Sequence, residues 1–169
     1  MKNLIYIIFL MSSFSNAQMA IGKEEVSGLS TLLDFDDSAT NTKGILLPTV
    51  TDATAVPTNN GTFIYDILTK KVRMYQNDSW INLSEAGNTD ALIVNSAADK
   101  SGKTGVIIGS EVSPVDGILV LESSNKAMIL PKIANPHLNV KSPYPGMMCY
   151  DTVSNSLAVY DGSNWNYWK

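Results

Sequence analysis

The strongest constraint on this chain is that it nearly contains itself twice. Lys43-Gly44-Ile45-Leu46-Leu47-Pro48 returns as Lys126-Ala127-Met128-Ile129-Leu130-Pro131. Each copy then leads into one series of landmarks. These are Gly61, Tyr65-Asp66, Tyr75 and Trp80 in the first copy, and Gly146, Tyr150-Asp151, Tyr160 and Trp165 in the second, every pair 85 residues apart (146 minus 61, 165 minus 80). A register held that long defines a unit, and a unit that cannot bury its own apolar face gains stability by packing on the next one. Function is therefore to be sought in a duplicated scaffold.

Within the first copy, apolar or alternating runs at 63–66, 72–75 and 80–83 are separated by Leu68-Thr69-Lys70 and Asn77-Asp78-Ser79. Runs of that length bounded by turn residues spell a three-stranded meander. The second copy repeats it at 147–150, 157–160 and 165–168, with Val153-Ser154-Asn155 and Asp161-Gly162-Ser163-Asn164 in the turns. Shorter apolar runs at 29–35, 44–50, 117–121 and 127–133 read as further strands, and Pro48 and Pro131 mark sheet edges where a missing N–H costs little. No helical period persists along the chain. The expected fold is all-β: two tandem copies of a small antiparallel module, at 18–84 and 105–169. They are joined by a linker at 85–104 that carries one strand at Ala91-Leu92-Ile93-Val94.

Residues 1–17 combine Lys2, an apolar stretch over 4–11 and the ending Ser15-Asn16-Ala17. Together they read as a secretory signal cleaved near Ala17, which places the chain in the periplasm or outside the cell. The apolar stretch is shorter than the roughly 20 residues of a membrane-spanning helix, and the lone cysteine, Cys149, is too far downstream to carry a lipid anchor. Loss of Lys2 leaves 11 of the 12 basic residues against 16 acidic ones. That balance speaks against nucleic acid and against an anionic membrane surface. One cysteine forms no intramolecular disulfide, so packing alone must hold the fold.

Candidate chemistry is sparse. Ala97-Ala98-Asp99-Lys100-Ser101-Gly102-Lys103-Thr104 ends like a phosphate-binding loop. However, Ala97 stands where the first glycine belongs, and Gly105-Val106-Ile107-Ile108 favours a strand where the anion needs a helix N-terminus. Cys149 aligns with Ile64, which suggests a space-filling role. His137 has no recognisable partner for metal or acid–base work. Asp66 and Asp151 sit at turn mouths, where Asp accepts backbone hydrogen bonds. An enzyme is not expected, nor is a cofactor or metal. Trp80 and Trp165 read as pins of the two meanders. Tyr75, Tyr160, Tyr167 and Trp168 are the candidate partner-binding residues, because Tyr and Trp anchor interfaces; Tyr167 and Trp168 replace Asn82 and Leu83 of the first copy.

These residues resemble a repeat of exported Bacteroidota proteins and of tail-fibre-like phage proteins. The matching stretches in the first copy are Ile21-Gly22, Leu33-Asp34-Phe35, the Lys43 motif, Tyr65-Asp66 and Trp80. In the second they are Ile108-Gly109, Leu121-Glu122, the Lys126 motif, Gly146, Tyr150-Asp151-Thr152 and Tyr160-Asp161-Gly162-Ser163-Asn164-Trp165. The arginine of the repeat is Thr49 in one copy and Lys132 in the other. The resemblance implies a β-rich module without catalytic residues. Cargo of the type IX secretion route usually ends in a sorting domain, whereas this chain stops four residues after Trp165, so the expectation is that it stays in the periplasm or leaves the cell by another route. The leading functional expectation is an interaction module that docks on a cell-envelope assembly. Its partner would be an outer-membrane β-barrel, in the most specific form a type IX channel occluded from the periplasmic side. The alternative is a structural fibre or adhesin segment that self-associates as a trimer.

Overall fold

The computed structural model describes residues 18–94 and 105–169; the expected signal, 1–17, and the phosphate-loop-like stretch, 97–104, lie outside the described residues. Regular structure is almost entirely strand. The first half carries β1 (Met19–Ile21), β2 (Thr31–Phe35), β3 (Ile45–Leu46), β4 (Thr49–Val50), β5 (Phe63–Asp66), β6 (Lys71–Gln76) and β7 (Ser79–Asn82). The second carries β8 (Val106–Ile108), β9 (Leu119–Leu121), β10 (Ala127–Met128), β11 (Lys132–Ile133), β12 (Met147–Asp151), β13 (Ser156–Tyr160) and β14 (Trp165–Trp168).

Both expected meanders are present and in one register. Tyr65 lies opposite Val72 and Tyr75 opposite Trp80; in the second half Tyr150 lies opposite Leu157 and Tyr160 opposite Trp165. Local chemistry sets the turns. Asn77 and Asp78 both take positive φ, 50° and 58°, the backbone that a two-residue hairpin loop needs to follow the strand twist. Lys70 and Asn155, at φ 59° and 53°, close the equivalent longer loops. Asp66 Oδ1 accepts from the Leu68 N–H at 3.0 Å, and Asp151 Oδ1 accepts from the Val153 N–H at 3.0 Å. These carboxylates are turn builders, as their positions suggested. Each meander gains a parallel strand, β4 beside β5 and β11 beside β12.

Pro48 and Pro131 do more than mark edges, because the chain changes sheets at each. β3 runs antiparallel to β12 whereas β4, after Pro48, pairs with β5. β10 runs parallel to β2 whereas β11, after Pro131, pairs with β12. A strand of each half thus lies in a sheet of the other, so the halves interleave instead of following one another as separate modules.

Three further details depart from expectation. Ala91–Val94 forms a turn and irregular chain instead of a strand; Leu92 packs on the main apolar cluster, and the Ile93 N–H donates to the Tyr144 hydroxyl. A single-turn helix α1 (Pro136–Asn139) occupies the loop around His137, begun by Pro136 in its first turn, where a proline has no N–H to lose. Finally, the parallel pairs β1·β2 and β8·β9 set Phe35, not Leu33, equivalent to Leu121.

Candidate self-association surface

Among the described residues the largest buried apolar cluster lies at the seam between the halves. Leu47, Tyr65, Val72 and Leu83 from the first half close on Met148 and Val159 from the second, in one cluster. These positions follow from strand alternation. Tyr65 and Val72 are direct cross-strand partners, and so are Met148 and Val159, so each pair shows one face of its meander. Polar bonds close the rim. The Tyr65 hydroxyl donates to the Asp161 carbonyl at 2.9 Å, the Asn88 N–H to the same carbonyl at 3.1 Å, and Trp168 Nε1–H to the Leu83 carbonyl at 2.7 Å. Burial, with the nearby Asp161 charge, pushes the Tyr65 phenol up to about 12. It is therefore a neutral donor at ordinary pH.

The four aromatic candidates fall in different places. Tyr75 packs edge-on against Trp80 with centroids 5.2 Å apart, and Arg73 lies 5.5 Å over the Trp80 ring. Arg73 is held there by Asp66, at 2.9 Å. Tyr160 leans on Trp165 at 5.4 Å and joins the smaller cluster of Ile133, Met147, Cys149 and Ala158. Tyr167 is partly exposed and its hydroxyl meets His137 Nδ1 at 3.0 Å; burial and the Asp151 charge raise its pKa. Trp168 reaches the seam. The structure thus brings Trp168 to the contact between halves and leaves the other three beside their own meanders.

Sequence reasoning did not assign Tyr65, Leu47, Val72 or Leu83 a role in contact. The signal was available, since Leu47 and Tyr65 belong to the duplicated motif itself.

Cys149 is fully buried, and burial followed by the Asp151 charge pushes its thiol up to about 12, as suits a space-filling residue beside an aliphatic position. Among the described residues no cluster of His, Cys, Asp and Glu could hold a metal ion. Among the same residues no helix is long and apolar enough to cross a membrane.

No curated protein and no solved structure matches the chain. Residues 107–169, most of the second half, match a family described as a phage tail like trimerisation region.

Proposed function

We propose that this chain is a structural segment of a fibre-like assembly and that it self-associates as a trimer. The observation that carries this reading is the match of residues 107–169 to a phage tail like trimerisation region. It favours the fibre alternative over docking at an outer-membrane barrel or a type IX channel, because its description concerns association of like chains. The interleaved sheets add support. A unit whose strand pairs outside its own meander is built to be completed by a neighbour. The reading keeps the exported, non-enzymatic character expected from the sequence.

Sedimentation equilibrium of the chain from residue 18 onward tests it. The expected result is a mass of three chains that persists on dilution into the low micromolar range. A monomer at every concentration overturns the proposal.

A further inference from the structure

The two halves meet through unlike faces. The first half offers the outer edge of β3 with Leu47, Tyr65, Val72 and Leu83. The second offers the edge of β12 at Gly146–Met148, with Val159 and the Asp161 carbonyl. Had the contact been two-fold, each half would bury the same face. A head-to-tail contact instead leaves one set of each kind, on opposite members of the pair, without the partner that its equivalent has, although Phe63, Met74, Leu130 and Leu157 touch the border of the seam cluster.

Exposure follows that division. In the second half the counterparts of the first-half face are Leu130, Tyr150, Leu157 and Trp168. All four are partly or well exposed, Trp168 at 42 % against 2 % for Leu83, even though Trp168 bonds to the Leu83 carbonyl and Leu130 and Leu157 touch the border of the seam cluster. In the first half the counterparts of the second-half face are Gly61, Thr62, Phe63, Met74 and Gln76, and again none is buried, although Phe63 and Met74 touch the border of the seam cluster. Tyr65 packs against Gly146, so closely that an added Cβ there would lie 3.1 Å from the Tyr65 Cβ, whereas Gly61 faces open space.

Backbone edges tell the same story. Residues Ala127 and Ile129 of the β10 segment donate to the carbonyls of Ser30, just before β2, and of Leu33 within it. Strand alternation then turns the Met128 and Leu130 amides to the other edge. That is the edge by which Ile45 and Leu47 serve β12 in the first half, where the Leu47 N–H meets the Gly146 carbonyl at 3.1 Å. β5 meets β4 only at Tyr65 and Asp66, leaving the Thr62-Phe63 stretch without the strand that its counterpart at Met147-Met148 receives. β9 likewise lacks the parallel neighbour that β10 gives β2. Its Leu119 is 48 % exposed and the preceding Ile118 71 %, against 0 % and 3 % for Leu33 and Leu32.

We infer that the second half of one chain docks on the first half of a second copy of this chain by repeating the seam already made inside each. β10 adds antiparallel to the partner's β5 beside Thr62 and Phe63, and the partner's β3 adds parallel to β9. This rests on the self-association proposed above and names its surfaces. A head-to-tail contact closes into a ring or runs on as a filament according to its rotation; the trimer is the closed case.

A cysteine pair tests it. Leu46 and Met147 face each other at a non-hydrogen-bonded position of an antiparallel pair, where side chains approach closely enough for a disulfide. Their counterparts across the inferred contact are Ile129 and Thr62. In a Cys149→Ala background, Thr62→Cys with Ile129→Cys is expected to give covalent multimers on a non-reducing denaturing gel after mild oxidation. Leu46→Cys with Met147→Cys should give an internal bridge at monomer mobility, which confirms the geometry of the pair.

If the chain sediments as a trimer but the Thr62/Ile129 pair yields no intermolecular bond, the faces are wrong and the fibre reading stands. If the chain is a monomer, both fall. Independently, Tyr150→Asp should weaken association by roughly thirtyfold, or about 2 kcal/mol, without changing the far-ultraviolet spectrum of the monomer. Unaltered association would also overturn the inference.

Discussion

The two halves of this molecule are the same sheet in different surroundings. Tyr65 and Tyr150 occupy one position of one register, each paired across to a β6-type strand. Yet Tyr65 is wholly buried with its hydroxyl 2.9 Å from the Asp161 carbonyl, while the Tyr150 hydroxyl reaches only Asn155, at 3.4 Å, near the surface. The backbone is alike, and what differs is whether a neighbour stands against the face. Burial at these positions is a property of the contact between units, and only secondarily of the unit.

The comparison breaks most visibly at that tyrosine. Tyr65→Ala removes a fully buried ring from the seam and should cost about 3–5 kcal/mol in denaturant unfolding. Tyr150→Ala, measured at concentrations where the chain is monomeric, should cost less than about 1 kcal/mol. Equal losses would show that the seam does not hold the two halves together. Tyr65→Phe isolates the hydroxyl bond and should account for about 1 kcal/mol of the loss. The phenol is held neutral up to about 12 against an ordinary 10.0, so its folded pKa is the raised one. Its contribution is intact below 10.0 and is lost as pH climbs from there toward about 12.

A smaller effect sharpens the same contrast. Gly146 and Gly61 share a left-handed backbone, at φ 85° and 93°, so alanine at either should cost about 1 kcal/mol in backbone strain. At Gly146 the new methyl must also displace Tyr65, bringing the loss to about 2–3 kcal/mol. Denaturant midpoints of Gly146→Ala and Gly61→Ala measure the difference. An equal shift for both in the monomer would mean that Tyr65 yields freely, and that the seam is looser than its burial indicates.

The parts of this fold that were legible in the sequence are those written locally. Turn residues such as Asn77-Asp78 and Asp161-Gly162-Ser163-Asn164 place the hairpins, the fixed offset places equivalent strands, and Tyr75 with Trp80 and Tyr160 with Trp165 meet as cross-strand neighbours. The seam was not legible because nothing local distinguishes its donors. The motif around β3 and the one around β10 are nearly the same string, yet one joins β12 antiparallel and the other joins β2 in parallel. A two-residue strand with two free edges carries no record of which edge is taken. The apolar island at Ala91–Val94 misled for a related reason. Its leucine was needed by the cluster, and a lone side chain can be delivered by irregular backbone whose amides find side-chain partners such as Tyr144.

The least costly difference between the halves is a charge. Asp34 in β2 corresponds through the shared strand register to Val120 in β9. Asp34 is fully buried, and burial alone would raise its carboxyl. The Ser27 N–H at 2.6 Å and Lys23 Nζ at 3.1 Å outweigh burial and hold the carboxyl below its ordinary 3.8. A depressed carboxylate contributes stability that is present above 3.8 and is lost as pH falls through its folded value. Asp34→Asn should therefore cost on the order of 1 kcal/mol at neutral pH and flatten the loss of stability on acidification. Val120→Ala should leave the shape of that pH profile unchanged. The two profiles, taken by denaturant titration between pH 2 and 7, isolate the acid sensitivity that Asp34 adds to the first half. If Asp34→Asn keeps the full acid slope, the ion pair with Lys23 contributes nothing to it and the asymmetry between the halves is one of packing alone.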